Sequence, residues 1–191
     1  MKESIHEAAR AATAMQHVAD AVASSAKASN ESLAVFKDAN ARQMRAYLTV
    51  GLGGVINQDK TNNYRLEVRM TLLNTGNTPA YKIRSTTRID VLPLPLPKDF
   101  ALPTAPLQNG AGGVLGPHQN FILTGVADHF YSDEDINEIQ FGAKKQLYVF
   151  GTVTYEDAFG IQRLTNFCQR IAWLKGGNFL SFNTADYNDA N

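Results

Sequence analysis

The 191-residue chain is short of two things that many proteins use, cysteine and net charge. Cys168 is its single cysteine, so an intrachain disulfide is impossible and packing must stabilise the fold, which suits a reducing compartment. The 18 lysine and arginine residues balance 18 aspartate and glutamate residues. A neutral chain without a basic block is a poor candidate for binding nucleic acid, so we expect no nucleic-acid partner.

Long apolar runs and helix-breaking residues are also missing. No apolar run is long enough to span a bilayer, and residues 1–7 contain no apolar segment of the kind found in export signals. Proline and glycine are absent before Gly51, and alanine, a strong helix former, is frequent in the same region. The sequence therefore predicts a helical domain over residues 1–45.

A heptad pattern runs along this predicted helix. One position takes Ile5, Ala12, Ala19, Ala26, Leu33 and Asn40, and the position three residues later takes Ala8, Met15, Val22, Ser29, Phe36 and Gln43. The stripe is regular, but many of its side chains are small and bury little area. Two interpretations stay open: a homo-oligomer formed through a coiled coil, or a single helix that acts as a spacer or packs on its own domain.

After residue 45 the apolar pattern changes to a period of two. Apolar and polar residues alternate from Tyr64 to Leu72, which is typical of a strand with one buried face. Further strands are predicted at 46–56, 81–91, 119–126, 146–156 and 161–174. The last two form the clearest hairpin, and Gly160 is well placed for a left-handed turn between them.

Two other regions complete the predicted domain, residues 46–191. Prolines and glycines between residues 93 and 117 predict a long loop. A short helix is predicted at 133–142, with Ser132 as its N-cap and Asp135 completing a capping box. Six or seven strands without βαβ alternation predict a mainly β fold, an immunoglobulin-like antiparallel β-sandwich, with a barrel as the alternative.

Three stretches of the chain resemble a group of small, uncharacterised bacterial proteins found mainly in proteobacteria. The stretches are Arg42 to Val50, Asn74 to Ala80 and Tyr148 to Cys168. Residues 187–190 also resemble the C-terminal tail of proteins in that group. The resemblance implies a transmembrane helix, a helical linker and then a β-sandwich, at a bacterial membrane surface. The membrane helix is absent from this sequence, so we expect membrane association only through a segment outside it. The resemblance implies no known activity.

The potentially reactive residues form no recognised catalytic or metal-binding motif. Asp128, His129 and the acidic residues at 133–138 are close in sequence, but acidic residues in a first helical turn commonly complement the helix dipole. Cys168 is expected to be a buried, unreactive thiol. The glycines at 51–54, which typically mark a bulge or close packing, and those at 110–113 match no phosphate-binding motif. We therefore expect no catalytic residue, no metal site and no cofactor, and a metal-dependent enzyme is the least favoured hypothesis.

Aromatic residues in and near the predicted hairpin are the best candidates for contact with a partner. The strand at 146–156 is apolar on both faces and needs a second cover, either the long loop, the N-terminal helix or another subunit. We predict partner-binding roles for Tyr148, Phe150, Tyr155 and Phe159, with the loops at 93–117 and 128–135 as further candidates. The sequence thus predicts a non-enzymatic protein-interaction module on a helical stalk, whose protein partner it does not identify. The alternative is a structural or accessory subunit of a larger assembly.

Overall fold

A computed structural model describes residues 2–97, 99–101, 112–174 and 177–191 of the chain. The chain divides into two compact units, Met1–Gln43 and Met44–Asn191. No helix within the described residues is both long enough and apolar enough to span a membrane.

The first unit is built from one helix, α1, which spans Lys2–Met44. Its 43 residues correspond to a length of about 65 Å. The side chains of residues 9–40 are all exposed, and an ion pair between Asp38 and Arg42 at 2.9 Å joins successive turns. The prediction of one long N-terminal helix is confirmed, whereas its self-association stays a prediction.

The second unit contains eight strands and one short helix among its described residues. They are β1 Leu48–Ile56, β2 Glu67–Asn74, β3 Ala80–Pro93, β4 Gly113–Leu115, β5 Asn120–Val126, α2 Asp133–Phe141, β6 Lys145–Glu156, β7 Gln162–Trp173 and β8 Phe179–Asn183. All strand pairings are antiparallel. The predicted mainly β fold with an N-terminal helix is therefore confirmed.

The strands form two sheets that share one hydrophobic core. The smaller sheet has the order β1-β2-β5, and the larger sheet has the order β4-β3-β6-β7-β8. Val68 and Met70 of the smaller sheet and Val149, Val153 and Ile171 of the larger sheet are fully buried in this core. A single barrel, the alternative considered from the sequence, is wrong because the described strands form two separate sheets.

The predicted N-cap and hairpin turn are present, whereas two strands were not predicted and part of the predicted loop lies outside the described residues. The Oγ atom of Ser132 accepts a hydrogen bond from the backbone N–H of Asp135 at 3.0 Å, so Ser132 is the N-cap of α2. Gly160 has φ of 76°, as the predicted hairpin turn requires. Strands β4 and β8 were not predicted, and β4 falls inside the predicted loop. Residues 98 and 102–111 of that loop lie outside the described residues.

A second, smaller core lies on the outer face of the larger sheet. Its buried residues are Tyr148, Phe150 and Cys168, and partly buried residues packed against them are Leu92, Leu96, Phe100 and Tyr187. The second face of β6 is therefore covered by the chain's own loop after β3 and by its C-terminal segment. The predicted cover by the long loop is present, together with a C-terminal cover that was not foreseen.

Candidate functional site

The structure separates the four aromatic residues that were predicted to bind a partner. Tyr148 and Phe150 lie in the second core, and Tyr155 lies on the other face of β6 in the main core. Only Phe159, in the turn between β6 and β7, reaches solvent, with 49% of its surface exposed. A partner-binding role for these residues stays a prediction. Phe159 is the one of the four whose side chain a partner could contact directly.

The turn that presents Phe159 is organised by the buried carboxylate of Asp157. This carboxylate accepts hydrogen bonds from the backbone N–H groups of Phe159 at 2.9 Å and Ile161 at 3.0 Å, and from Arg163 Nε at 2.8 Å. Burial raises the pKa of the Asp157 carboxyl, but these donors outweigh burial and hold the pKa below its ordinary value. These hydrogen bonds organise a turn that presents two exposed apolar side chains, Phe159 and Ile161.

A second exposed surface lies on the outer face of the three-stranded sheet, where no residue was predicted to bind a partner. Tyr64, Ile122 and Val126 have 63%, 53% and 49% of their surfaces exposed. The strand register places Ile56, Glu67 and Val126 in one row, and Gly51, Thr71 and Ile122 in another. We call this surface the open face and define it by Gly51, Gly54, Ile56, Tyr64, Glu67, Arg69, Thr71, Ile122, Thr124 and Val126.

A groove of about 600 Å³ crosses one end of the open face. Ile56 and Val126 supply apolar lining, and Tyr64, Arg65 and Arg69 are among its other lining residues. Arg65 Nη1 donates to the carbonyl oxygen of Asp128 at 2.6 Å, and Arg69 Nε forms an ion pair with Glu67 at 2.7 Å. Apolar contact area combined with oriented polar groups is typical of protein–protein interfaces.

Strand β1 contributes bare backbone to the open face. A Cβ atom at Gly51 or Gly54 would have no neighbour within 4 Å, and neither residue has a positive φ. Gly53 differs, because a Cβ atom there would lie 3.0 Å from Thr71 Oγ1. The expected bulge is present between Leu52 and Gly54. Steric conflict within the chain therefore explains Gly53 but does not explain Gly51 or Gly54, although glycine weakens a strand by roughly 0.5–1 kcal/mol relative to alanine.

The three stretches that carry the family resemblance meet at one corner of the β unit. Asn74 is fully buried, and its Oδ1 atom accepts from the N–H groups of Tyr47 at 3.3 Å and Gly76 at 3.0 Å. Its Nδ2 atom donates to the carbonyl oxygens of Thr78 at 2.8 Å and Leu115 at 3.1 Å. One side chain thereby joins the backbone before β1, the turn after β2 and strand β4.

Side chains of the larger sheet bind two carbonyl oxygens of β1 and that of Ala46, just before β1, at the same corner. Tyr155 Oη donates to Ala46 at 3.2 Å, Thr165 Oγ1 to Leu48 at 3.2 Å, and Gln169 Nε2 to Val50 at 2.9 Å. Alternate carbonyl groups of a strand point to the same edge, so these bonds occupy acceptors that an added strand would use. The resembling stretches thus have an architectural role in holding the start of β1.

Two of the acidic residues considered for metal binding form ion pairs instead. Asp133 pairs with Lys60 at 3.0 Å and Asp135 with Lys145 at 3.1 Å. Among the described residues, no group of three or more histidine, cysteine, aspartate or glutamate side chains is arranged to hold a metal ion. Cys168 is buried, as expected, and burial raises the pKa of its thiol.

Comparison of the chain with protein-family models, with curated proteins and with solved structures finds no match. The resemblance to the proteobacterial group stays a prediction from the sequence. The surfaces described above are therefore interpreted from their own geometry.

Proposed function

We propose that this chain is a non-enzymatic protein-interaction module that binds a protein partner through the open face. The observation that carries the proposal is the exposure of Tyr64, Ile122 and Val126 beside bare strand backbone. Exposed apolar patches bordered by polar side chains are characteristic of protein-binding sites. The helix α1 would act as the stalk on which the module is carried.

The glycines of β1 support the same proposal independently of the apolar residues. A glycine that reduces strand stability without relieving a clash suggests that another backbone approaches closely at that position. Gly51 and Gly54 meet this description, and both lie beside the central strand of the open face. A partner segment lying across β1 could approach the sheet more closely than side chains at these positions would allow.

We further propose that the module acts at a bacterial membrane surface. This part of the proposal rests on the family resemblance of residues 42–50, 74–80 and 148–168, in which a membrane helix comes before the helical linker. Attachment would be made by a segment outside this sequence. Its partner would then be a protein at the same membrane.

The proposal is tested by placing charge on the open face. The double substitution Ile122→Lys, Val126→Lys should abolish capture of a bacterial protein that the unaltered chain retains, because two charges would be buried in the interface. Leu180→Lys is the matched control, since Leu180 is similarly exposed, at 46%, but belongs to the larger sheet. Capture that survives the double substitution, with the fold intact by circular dichroism, would reject the open face.

A second candidate function, an accessory subunit that assembles through α1, is favoured by the apolar side chains of that helix. Met15, Val22, Leu33 and Phe36 of the heptad stripe have 49–74% of their surfaces exposed. The helix can bury these side chains by pairing with the same helix of a second copy.

Light scattering of the full chain tests this second candidate with two neighbouring substitutions. Phe36→Lys should convert an oligomer to a monomer, because Phe36 belongs to the stripe. Val35→Lys should leave the mass unchanged, since Val35 is similarly exposed, at 71% against 64% for Phe36, but lies off the stripe. A monomeric unaltered chain would remove this candidate.

A further inference from the structure

The C-terminal segment, residues 184–191, lies along a part of the β7 edge that β8 does not cover. Strand β8 pairs with Gln169–Trp173, and the C-terminal segment continues along Leu164–Cys168. The N–H of Asn166 donates to the carbonyl oxygen of Asp189 at 2.8 Å, and the N–H of Asn191 donates to that of Leu164 at 3.2 Å. The segment therefore extends the larger sheet by strand pairing.

Asn188 and Tyr187 hold the middle of this segment, and side-chain hydrogen bonds to β7 are also made by Thr184, Asp189 and Asn191. Asn188 binds the Cys168 backbone twice: its Oδ1 atom accepts from the N–H at 3.0 Å, and its Nδ2 atom donates to the carbonyl oxygen at 3.1 Å. The Tyr187 ring packs edge-on against Phe100, with ring centroids 5.8 Å apart, and its hydroxyl donates to the Phe100 carbonyl oxygen. Together they hold the segment over the second core.

Two features of the structure indicate that this segment can detach. Residues 185–191 are exposed apart from Tyr187, which is half-buried, so their release would uncover little of their own buried surface. Tyr187 has φ of 68°, a left-handed conformation that is unfavourable for a side chain of this size.

We propose that the groove formed by the β7 edge and the second core is a binding site for an extended peptide with an aromatic residue followed by asparagine. The chain's own residues 184–191 fill this site, and the same residues of a second copy can replace them. Every copy carries the ring and the amide that fit the groove, which makes a second copy the matched occupant. Addition of a strand to a sheet edge and exchange of identical elements are both known routes of association.

Cys168 provides the readout, because it is the only cysteine and lies buried beneath the segment. In the full chain, Tyr187→Ala with Asn188→Ala should make the thiol react about tenfold faster with a thiol reagent, since local opening controls access. The peptide TADYNDAN should restore protection, whereas TADAADAN should not. If the double variant unfolds by circular dichroism, Asn188→Ala alone takes its place.

Mixing the variant with the unaltered chain tests the second-copy occupant. Mass spectrometry separates the labelled chains, and the unaltered chain should slow labelling of the variant as the peptide does. A folded variant that the peptide leaves unprotected would overturn the binding site. Protection by the peptide but not by the unaltered chain would overturn exchange between copies.

Discussion

At the residue scale, three buried side-chain atoms in the described part of the chain have no hydrogen-bond partner, namely Arg45 Nε, Thr78 Oγ1 and Gln169 Oε1, whereas other buried polar groups are well matched. Asn74 uses both of its amide atoms in hydrogen bonds, and Asp157 accepts from two backbone N–H groups and Arg163. Gln169 donates through Nε2, but its buried Oε1 atom has no hydrogen-bond partner in the described part of the chain. An unmatched buried acceptor costs free energy. The unpartnered Oε1 atom therefore offsets part of the stabilisation that the bond from Gln169 Nε2 to β1 provides.

The lowered pKa of Asp157 makes the stability of the fold dependent on pH. Its carboxylate stabilises the folded state above the ordinary value of 3.8, and this contribution is lost as the pH falls through the lower folded-state value. Asp157→Asn removes the charge that Arg163 and two N–H groups stabilise. We expect the substitution to lower the free energy of unfolding by about 1–3 kcal/mol at neutral pH, with the deficit shrinking below about pH 4.

Urea denaturation at a series of pH values measures this difference between the two chains. Asp133→Asn is the control, since the Asp133 side chain is 87% exposed and its ion pair with Lys60 should contribute less than about 1 kcal/mol. A deficit for Asp157→Asn that stays constant down to about pH 2.5 would contradict the linkage.

At the scale of single elements, the edge of β1 that no described strand pairs with is stabilised by hydrogen bonds from side chains of the larger sheet. Thr165→Val removes the donor to the Leu48 carbonyl oxygen while keeping the side-chain shape. We expect a loss of about 1–2 kcal/mol in the free energy of unfolding, because a carbonyl group loses its partner in a buried position. Hydrogen exchange should show that the substitution speeds exchange at the amides of β1 more than at the amides of β6.

Thr124→Val provides the control for this prediction. Thr124 is exposed on β5, so the same chemical change removes no buried hydrogen bond. Equal effects of the two substitutions would show that the bond from Thr165 does not support β1.

Elements were predictable from the sequence where one local pattern decides them. The alternation around Val68 and Met70 predicted β2, and the N-cap at Ser132 predicted α2 to within one residue of its end. The three residues of β4 are too few to show a period, and their pairing with β3 depends on distant residues. The sequence left the cover over Phe150 open among three candidates and did not predict the exposure of Ile122, because both depend on which sheet face another segment reaches.

At the scale of the whole molecule, the two sheets of the β unit differ in how their outer faces are treated. The larger sheet has Phe150 and Cys168 covered by the loop after β3 and by the C-terminal segment. The smaller sheet presents Ile122 and Val126 to solvent beside the glycines of β1. We propose that this second arrangement is a protein-binding surface, whose glycines serve binding at a cost in stability.

The most direct test compares stability and binding in Gly51→Val. Because a side chain at position 51 meets no neighbour, the free energy of unfolding should rise by about 0.5–1 kcal/mol, and partner capture should fall. Gly113→Val is the control, since Gly113 has equal space but lies in the larger sheet, and it should leave capture unchanged. A stabilised Gly51→Val chain that retains its partner as well as the unaltered chain would contradict the account.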